Sequence, residues 1–566
     1  MTAPLTMRQL TRSTVALLVA ATACDGTTRT TSEDPLTGGS LIVAVSTDIG
    51  HIVPPAIVQV DQRLVADQVF EPLAWVGDEG RLDDGFRPAL ADSWSWEADS
   101  TVLVFHMNPA ARWHDGKPVR ASDVRLTFSL YTDPAVGSPD RQPLMRIDSV
   151  TVRDSLTPVF WFGSRYPEQL FDAAARMLIV PEHAVANEPR ANLPASAFAR
   201  SPIGSGRFRV AKWDPKTAVE LVTDTTHYRR RANLDRVIFA HIPDPTAMVT
   251  RLSAGELDAA EILNSEHFRT LSARPELSSR ILPALDYTFL QFNLRDPRQP
   301  NRPHPLFGDV AMRRALTMAL DRDRLVRSQF DSLARVALGP MTHAQALADT
   351  TVAGVPFDSA GAARTLDSLG WKIPVGKAIR ERAGQPLRFS VIVPTISRNR
   401  MSMIVRVQEA LRLQGIELVV DALEPNVFIG RLVKRDFDAA FNGTRAEVSL
   451  AGLQSYWTTN GAADPTGRNF GSYQNPVFDA HLDSALSARS IAQARAHASE
   501  AFETIVADAP AVWLYEMRSA PVVHKRLRTA HMIPGAWWAG IADWSIPSGE
   551  RIPRDQIGLR VAAAAK

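Results

Sequence analysis

Apolar positions recur along this chain at two spacings, and their alternation is the first guide to its architecture. Residues 41–45 (Leu-Ile-Val-Ala-Val) are a continuous, partly β-branched run behind Gly38-Gly39, the pattern of a buried strand, and the globular body starts there. Residues 101–106 alternate apolar and polar side chains at period two and predict a second strand, while Trp113-His-Asp-Gly-Lys-Pro118 is turn chemistry. A helix is expected over 123–130, with Ser122 as cap and Asp123 in the positive first turn. Residues 309–325 carry Val310, Met312, Ala315, Leu316, Ala319 and Leu320 on one face, which predicts a single amphipathic helix. Another helix is expected over 403–414, stopped by Gly415 and followed by a strand over 416–420. Helices and strands thus alternate over most of the length, and an α/β class follows.

Upstream of residue 39 the pattern changes. Arg8 and Arg12 precede a short apolar core over 15–20, and Ala21-Thr22-Ala23-Cys24 ends in small residues, as in an exported lipoprotein whose leader is cut before the cysteine. Residues 1–23 are therefore expected to be a signal peptide, Cys24 a lipidated residue, and 24–38 a flexible polar linker. Ala21 stands where Leu is usual, so secretion with an unmodified Cys24 is the alternative reading. The apolar core is too short to span a bilayer. Cys24 is the only cysteine in 566 residues, so no internal disulfide forms and stability must come from burial. A 45% hydrophobic chain of this length can bury large cores in two to four domains. Loss of Arg8 and Arg12 with the leader takes the formal charge from +2 to zero, which argues against nucleic acid as a partner.

Catalytic signatures are absent from the sequence. There is no His-Glu-x-x-His, no Cys-x-x-Cys, no Gly-x-Ser-x-Gly, and the spacing of Gly370 to Gly376-Lys377 does not fit a phosphate loop. The 13 histidines are scattered singly, and His114-Asp115 reads as a turn held by side-chain hydrogen bonds, with catalysis as its rival. No cofactor, metal or enzymatic activity is expected.

Several blocks then follow one another in a telling order. They are Val69-Phe-Glu-Pro-Leu73, Pro88-Ala-Leu-Ala-Asp-Ser-Trp94, residues 101–107, Trp113-His-Asp-Gly-Lys-Pro118 and Ala121-Ser-Asp-Val124. Further on come Ser201-Pro-Ile-Gly-Ser-Gly206, Leu252-Ser-Ala-Gly-Glu-Leu-Asp258, Gln291-Phe-Asn293, residues 310–316 and Ala319-Leu-Asp-Arg322. From about residue 39 to 544 this series resembles the family 5 extracellular solute-binding proteins, which include the oligopeptide- and dipeptide-binding proteins of bacterial ABC importers. The resemblance implies a two-lobed periplasmic-binding-protein fold of type II-like topology, with an extra domain inserted in the first lobe. Lobe one is expected over 39–72, 201–290 and 515–545, the inserted domain over 73–200, lobe two over 291–514, and a C-terminal tail over 546–566.

The function implied is a monomeric, extracytoplasmic lipoprotein that closes on a short peptide and delivers it to ABC permease subunits. It would be anchored at the periplasmic face of the inner membrane or on the outer cell surface. In peptide-binding members a carboxylate after a Gly-Trp-x-Ala-Asp turn pairs with the peptide ammonium. Here the turn reads Gly443-Thr444-Arg445-Ala446-Glu447, which implies Glu447 as the anchor, with a solvated loop carboxylate as the alternative. Arg445 could meet a ligand carboxylate bidentately, with an ordinary surface arginine as the alternative. Tyr456-Trp457 and Trp537-Trp538 could line the cleft or pack in the core. Thr444 replaces the family's Trp, so a sugar, opine or metal chelate stays open as the ligand, and a secreted enzyme on the same scaffold stays open as the other class.

Overall fold

The computed structural model describes residues 36–77, 85–345, 347–446, 448–464 and 467–556. The expected leader, Cys24, Glu447 and the Ala-rich end of the tail lie outside the described residues. Within the body, three large sheets organise the chain.

The first sheet has seven strands, in the order Leu277–Ser279, Pro521–His524, Ala259–Glu261, Ser40–Val45, Arg236–His241, Ala218–Thr223 and Phe208–Asp214. Ser40–Val45 runs parallel to both of its neighbours, Arg236–His241 and Ala259–Glu261. Its continuous apolar run has the physical reason expected of a strand covered on both faces. Leu41, Val43 and Val45 join a core with Phe70, Phe239, Trp537 and Trp544, while Ala44 joins another with Met248, Leu252 and Phe268 on the opposite side. The start of this strand is fixed by a buried ionic cluster. Arg526 donates to Asp258 at 2.9 Å and to Asp555 at 2.7 Å, and the two carboxylates accept from Ile42 N and Ser40 N.

The second sheet has six strands, in the order Ala334–Arg335, Ala511–Ser519, Leu282–Phe292, Ala439–Arg445, Arg388–Pro394 and Glu417–Leu423. Val391 and Val393 face one core and Ile392 another, the period-two signature of a two-sided strand. Arg388–Pro394 is parallel to both Glu417–Leu423 and Ala439–Arg445. The helix between the first two, Arg398–Arg412, starts five residues before the expected 403, because Ser397 accepts a hydrogen bond from Arg400 N and caps it there. Gly415 does close it, at a φ of 74°.

Two other helix expectations need correction. The single helix expected over 309–325 is two, Val310–Met318 and Arg322–Phe330, because Asp321 accepts from Arg324 N and starts a new helix. Ser122 does not cap its helix. That helix is Ala121–Thr132, with Arg120 at the cap position and Asp123 accepting from Arg120 N, Trp113 Nε1 and Glu182 N.

The third sheet is antiparallel, in the order Ala91–Glu97, Val102–Met107, Thr157–Trp161 and Ser149–Asp154. It has a core of its own around Phe105, Trp113, Tyr131 and Phe160. Among the described strands the chain passes between the first two sheets twice, at residues 280–281 after Leu277–Ser279 and at Ala520 between Ala511–Ser519 and Pro521–His524. No helix among the described residues is long and apolar enough to cross a membrane.

Candidate ligand-binding site

Beside these two crossings lies a cavity of about 570 Å³. From the first sheet it takes Ser46 and Thr47, just past the carboxyl end of Ser40–Val45, and Glu261 and Leu263 at the end of Ala259–Glu261. From the second it takes Gly443, Thr444 and Arg445 at the end of Ala439–Arg445, and Ser397, Asn399 and Arg400 just past Arg388–Pro394. Ligands of open α/β sheets bind outside the carboxyl ends of parallel strands, where the chain turns from strand into loop or helix. Here both sheets direct such ends at one space.

Its walls carry charges of both signs: Asp61, Glu261 and Asp286 against Arg400, Arg445 and Arg518. Most of these are engaged by the protein. Asp61 Oδ2 accepts from Thr47 N at 2.9 Å and Thr47 Oγ1 at 2.7 Å. Arg445 pairs with Asp286 at 2.8 Å and donates to the Gly535 carbonyl at 3.1 Å. Arg518 donates to Ser332 O at 3.3 Å. Glu261 accepts from Ser519 Oγ at 2.6 Å, yet burial pushes its carboxyl above the ordinary range despite that bond and the charge of Arg445.

Arg400 differs from the others. Among the described residues no hydrogen bond or ion pair holds its guanidinium, although burial pushes that group below its ordinary pKa, against the pull of Tyr515 and Asp286. It lies over Gly443, where a Cβ would stand 2.5 Å from Arg400 Nη2 and 3.0 Å from Thr288 Oγ1. A half-buried cation with five donors and no partner among the described residues suits the carboxylate of an incoming solute.

The expected site residues are distributed unevenly around this cavity. Thr444 and Arg445 line it, but the Arg445 guanidinium is already tied to Asp286. Tyr456 is set behind the wall, its hydroxyl 2.9 Å from Thr444 Oγ1 and 2.7 Å from Arg468 Nη1. Trp457 does not reach the cavity. It is 1% exposed, packed against Phe289 and Trp513 in the core, with Tyr287 OH accepting from its indole N–H at 3.4 Å. Trp538 edges the cavity and donates to Asp67 at 2.8 Å, whereas Trp537 is core.

Glu447 lies outside the described residues, but described residues on either side of it are held. Ala446 N donates to Leu285 O at 2.7 Å, and Glu168 accepts from Leu450 N at 3.1 Å and from the Ser449 hydroxyl. His114 is structural, hydrogen-bonded to Gly204 N at 3.2 Å and Gly206 O at 2.9 Å. Arg400, Glu261 and Asp61 were not anticipated from the sequence. The available signal was the Ser397 cap directly after an apolar strand, which puts Arg400 in the first turn of a helix that opens at a strand's carboxyl end.

Comparison with known proteins agrees with this architecture. The family model described as bacterial extracellular solute-binding proteins, family 5 middle, matches residues 85–464. The oligopeptide-binding protein AppA of Bacillus subtilis is 26% identical over 414 residues, 71% of this chain and 73% of its own. A putative ABC transporter peptide-binding protein of Brucella melitensis is 25% identical over 495 residues, 84% of this chain and 88% of its own. The structure of AppA in complex with a nonapeptide superposes with a TM-score of 0.73 at 22% identity, covering 90% of this chain and 99% of that one. NikZ from Campylobacter jejuni in complex with Ni(L-His) also gives 0.73, at 23% identity, covering 89% and 99%. These two superpositions establish the shared fold.

Proposed function

The chain belongs to the family 5 bacterial extracellular solute-binding proteins, and on that premise we propose that it captures a short peptide in the cavity beside Arg400 and passes it to an ABC importer. The observation that carries this reading is the half-buried Arg400 guanidinium, unpartnered among the described residues, in a cavity that also bears Asp61 and Glu261. A zwitterionic peptide satisfies both kinds of wall at once. Its carboxylate meets Arg400, and its ammonium meets an acid, with Glu447 as the family's anchor. A single-charge solute such as an anionic metal chelate would answer Arg400 alone.

Calorimetric titration of the protein with unmodified tripeptides, a neutral sugar and Ni(L-His) tests the reading. Saturable peptide binding supports it. Saturation by either of the other solutes, at concentrations where peptides do not bind, would overturn it.

Three structural proposals accompany this one. Residues 73–200 form an inserted domain, supported by the third sheet and its separate core. The lobes meet at the two sheet crossings, near residues 281 and 520, a shift from the boundaries at 290 and 515 suggested by sequence. The lobes also close about these short connections, which a fall in radius of gyration on adding peptide would register and an unchanged scattering profile would refute.

Cys24 is proposed to carry a lipid anchor. At about 0.8 kcal/mol per buried CH₂, two or three acyl chains hold the protein firmly at a membrane. Cys24→Ala should move the protein from the membrane to the soluble fraction. Equal partitioning of the two forms removes this proposal.

A further inference from the structure

We propose that His481, His497 and Glu500 form a transition-metal site, outside the ligand cavity, that staples helix Pro476–Leu486 to helix Ile491–Asp508. His497 and Glu500 are three residues apart on the second helix and so share a face; His481 reaches them from the first. The ligating atoms of all three lie within 4.8 Å of one another. His481 Nδ1 is 2.9 Å and His497 Nδ1 is 3.1 Å from the same oxygen, Glu500 Oε2.

This convergence is unusual for surface histidines in two ways. Two imidazoles from different helices aim the same type of nitrogen at one carboxylate oxygen, around a space that a single cation would fill. The separations also lie close to the edge of a tetrahedron around Zn²⁺, about 3.3 Å for metal–ligand distances of about 2.0–2.1 Å.

The donor set selects the class of ion. Two imidazoles and one carboxylate suit Zn²⁺, Ni²⁺ and Cu²⁺ and not Ca²⁺ or Mg²⁺, which take oxygen-rich cages. The side chains are 32%, 42% and 52% exposed, which leaves the outer coordination position to water. Beneath them the two helices are joined by Phe478, Leu482, Ala494, Ala498, Ala501 and Phe502, so the hairpin is preformed and the ion has little to organise. None of the three ligands lines the cavity beside Arg400. The site therefore differs in place and composition from a binding site for a metal complex carried as cargo.

The test uses the full chain without a histidine tag, carrying Cys24→Ala to remove the lone thiol as a rival ligand. Zn²⁺ alone is titrated by calorimetry, and Co²⁺ absorption reports the donor set. The expected result is one Zn²⁺ per chain and a Tm that rises with Zn²⁺. His481→Gln and Glu500→Gln should each weaken binding at least tenfold, and His481→Gln/His497→Gln should abolish both binding and the Tm rise. The metal-free Tm of these variants should match the parent, because the three groups are on the surface. Saturable binding that survives the double substitution, or that disappears in Arg400→Gln instead, overturns the proposal, as does the absence of saturation by 1 mM Zn²⁺.

Discussion

Arg400→Ala separates a ligand-binding cation from a structural one, because the two roles predict opposite effects on the empty protein. In the ligand-free molecule the guanidinium is desolvated and has no protein partner among the described residues. Its removal relieves an uncompensated desolvation, so unfolding free energy should stay within about 0.5 kcal/mol of the parent or rise. With peptide bound, the same group faces a carboxylate in a closed space. Two charges 4 Å apart at an effective dielectric of about 20 attract by about 4 kcal/mol, and truncating one partner of such a pair costs about 2 to 5 kcal/mol. At 1.4 kcal/mol per factor of ten, affinity should fall by about 30-fold to several thousand-fold. Amidating the peptide's C-terminus removes the other partner, so it should cost the parent heavily and Arg400→Ala little. Calorimetry on the two proteins with free and amidated peptide gives the four affinities, and urea unfolding without ligand gives the control. If the two losses add, or if the empty variant loses more than about 2 kcal/mol, Arg400 is not the carboxylate anchor.

Further outcomes follow from the same contacts. Gly443→Ala brings a Cβ to 2.5 Å from Arg400 Nη2, which must swing away, so peptide affinity should drop about tenfold with the urea midpoint unchanged; an unaltered titration would mean that the guanidinium's position over this strand is immaterial. Arg526→Met leaves Asp258 and Asp555 buried without their shared cation, and urea unfolding should show a loss of about 3 kcal/mol or more, whereas a loss below about 1 would refute the cluster's role. Asp438 feels burial that raises its pKa, but hydrogen bonds from His304 and Ser390 prevail and its carboxyl titrates at about 2. Against an unfolded value of roughly 3.9, its contribution is complete above about pH 4 and fades as pH falls toward 2. Discounted for partial exposure it is about 1 to 2 kcal/mol, so Asp438→Asn should be less stable than the parent at pH 7 and converge on it near pH 2. A stability gap that does not vary with pH would contradict this assignment.

Where the sequence was informative and where it was silent follows from the range of the forces involved. The apolar run at 41–45 and the Gly415 stop are local properties, and the strand Ser40–Val45 and the helix end appear where those properties require. The break between Val310–Met318 and Arg322–Phe330 was missed because the apolar stripe runs through it unbroken and only the capping of Arg324 N by Asp321 ends the first helix. Adjacent aromatics could not be sorted in advance. Neighbours on a helix project about 100° apart, so Tyr456 reaches Thr444 while Trp457 turns into the core. Arg400 was illegible for a different reason. It is one of many arginines, and its significance arises only when Arg388–Pro394 and Ala439–Arg445 end at the same cavity and none of the described carboxylates pairs with it. A missing partner is a property of the assembled fold.

That consideration extends to the loop carrying Glu447. Its downstream flank is held by Glu168, a carboxylate 3% exposed that accepts from Ser449 and Leu450, with Arg146 3.7 Å away and stacked 3.6 Å over Tyr166. Burial, with Asp172 adding to it, pushes Glu168 above the ordinary carboxylate range, so these bonds only partly offset the loss of water. Glu168 follows the third sheet in the chain, whereas Ser449 follows the strand Ala439–Arg445 of the second. On the proposed closure, this contact joins the inserted domain to the lobe that carries the ligand anchor. A strong bond there would hold the lobes shut without ligand, and release to a transporter would be slow. A contact weakened by the desolvation of its carboxylate leaves more of the balance to the solute, which on the proposed function supplies a partner for Arg400. On that proposal, an empty cleft would open freely and a filled one would be held by the charges of the peptide.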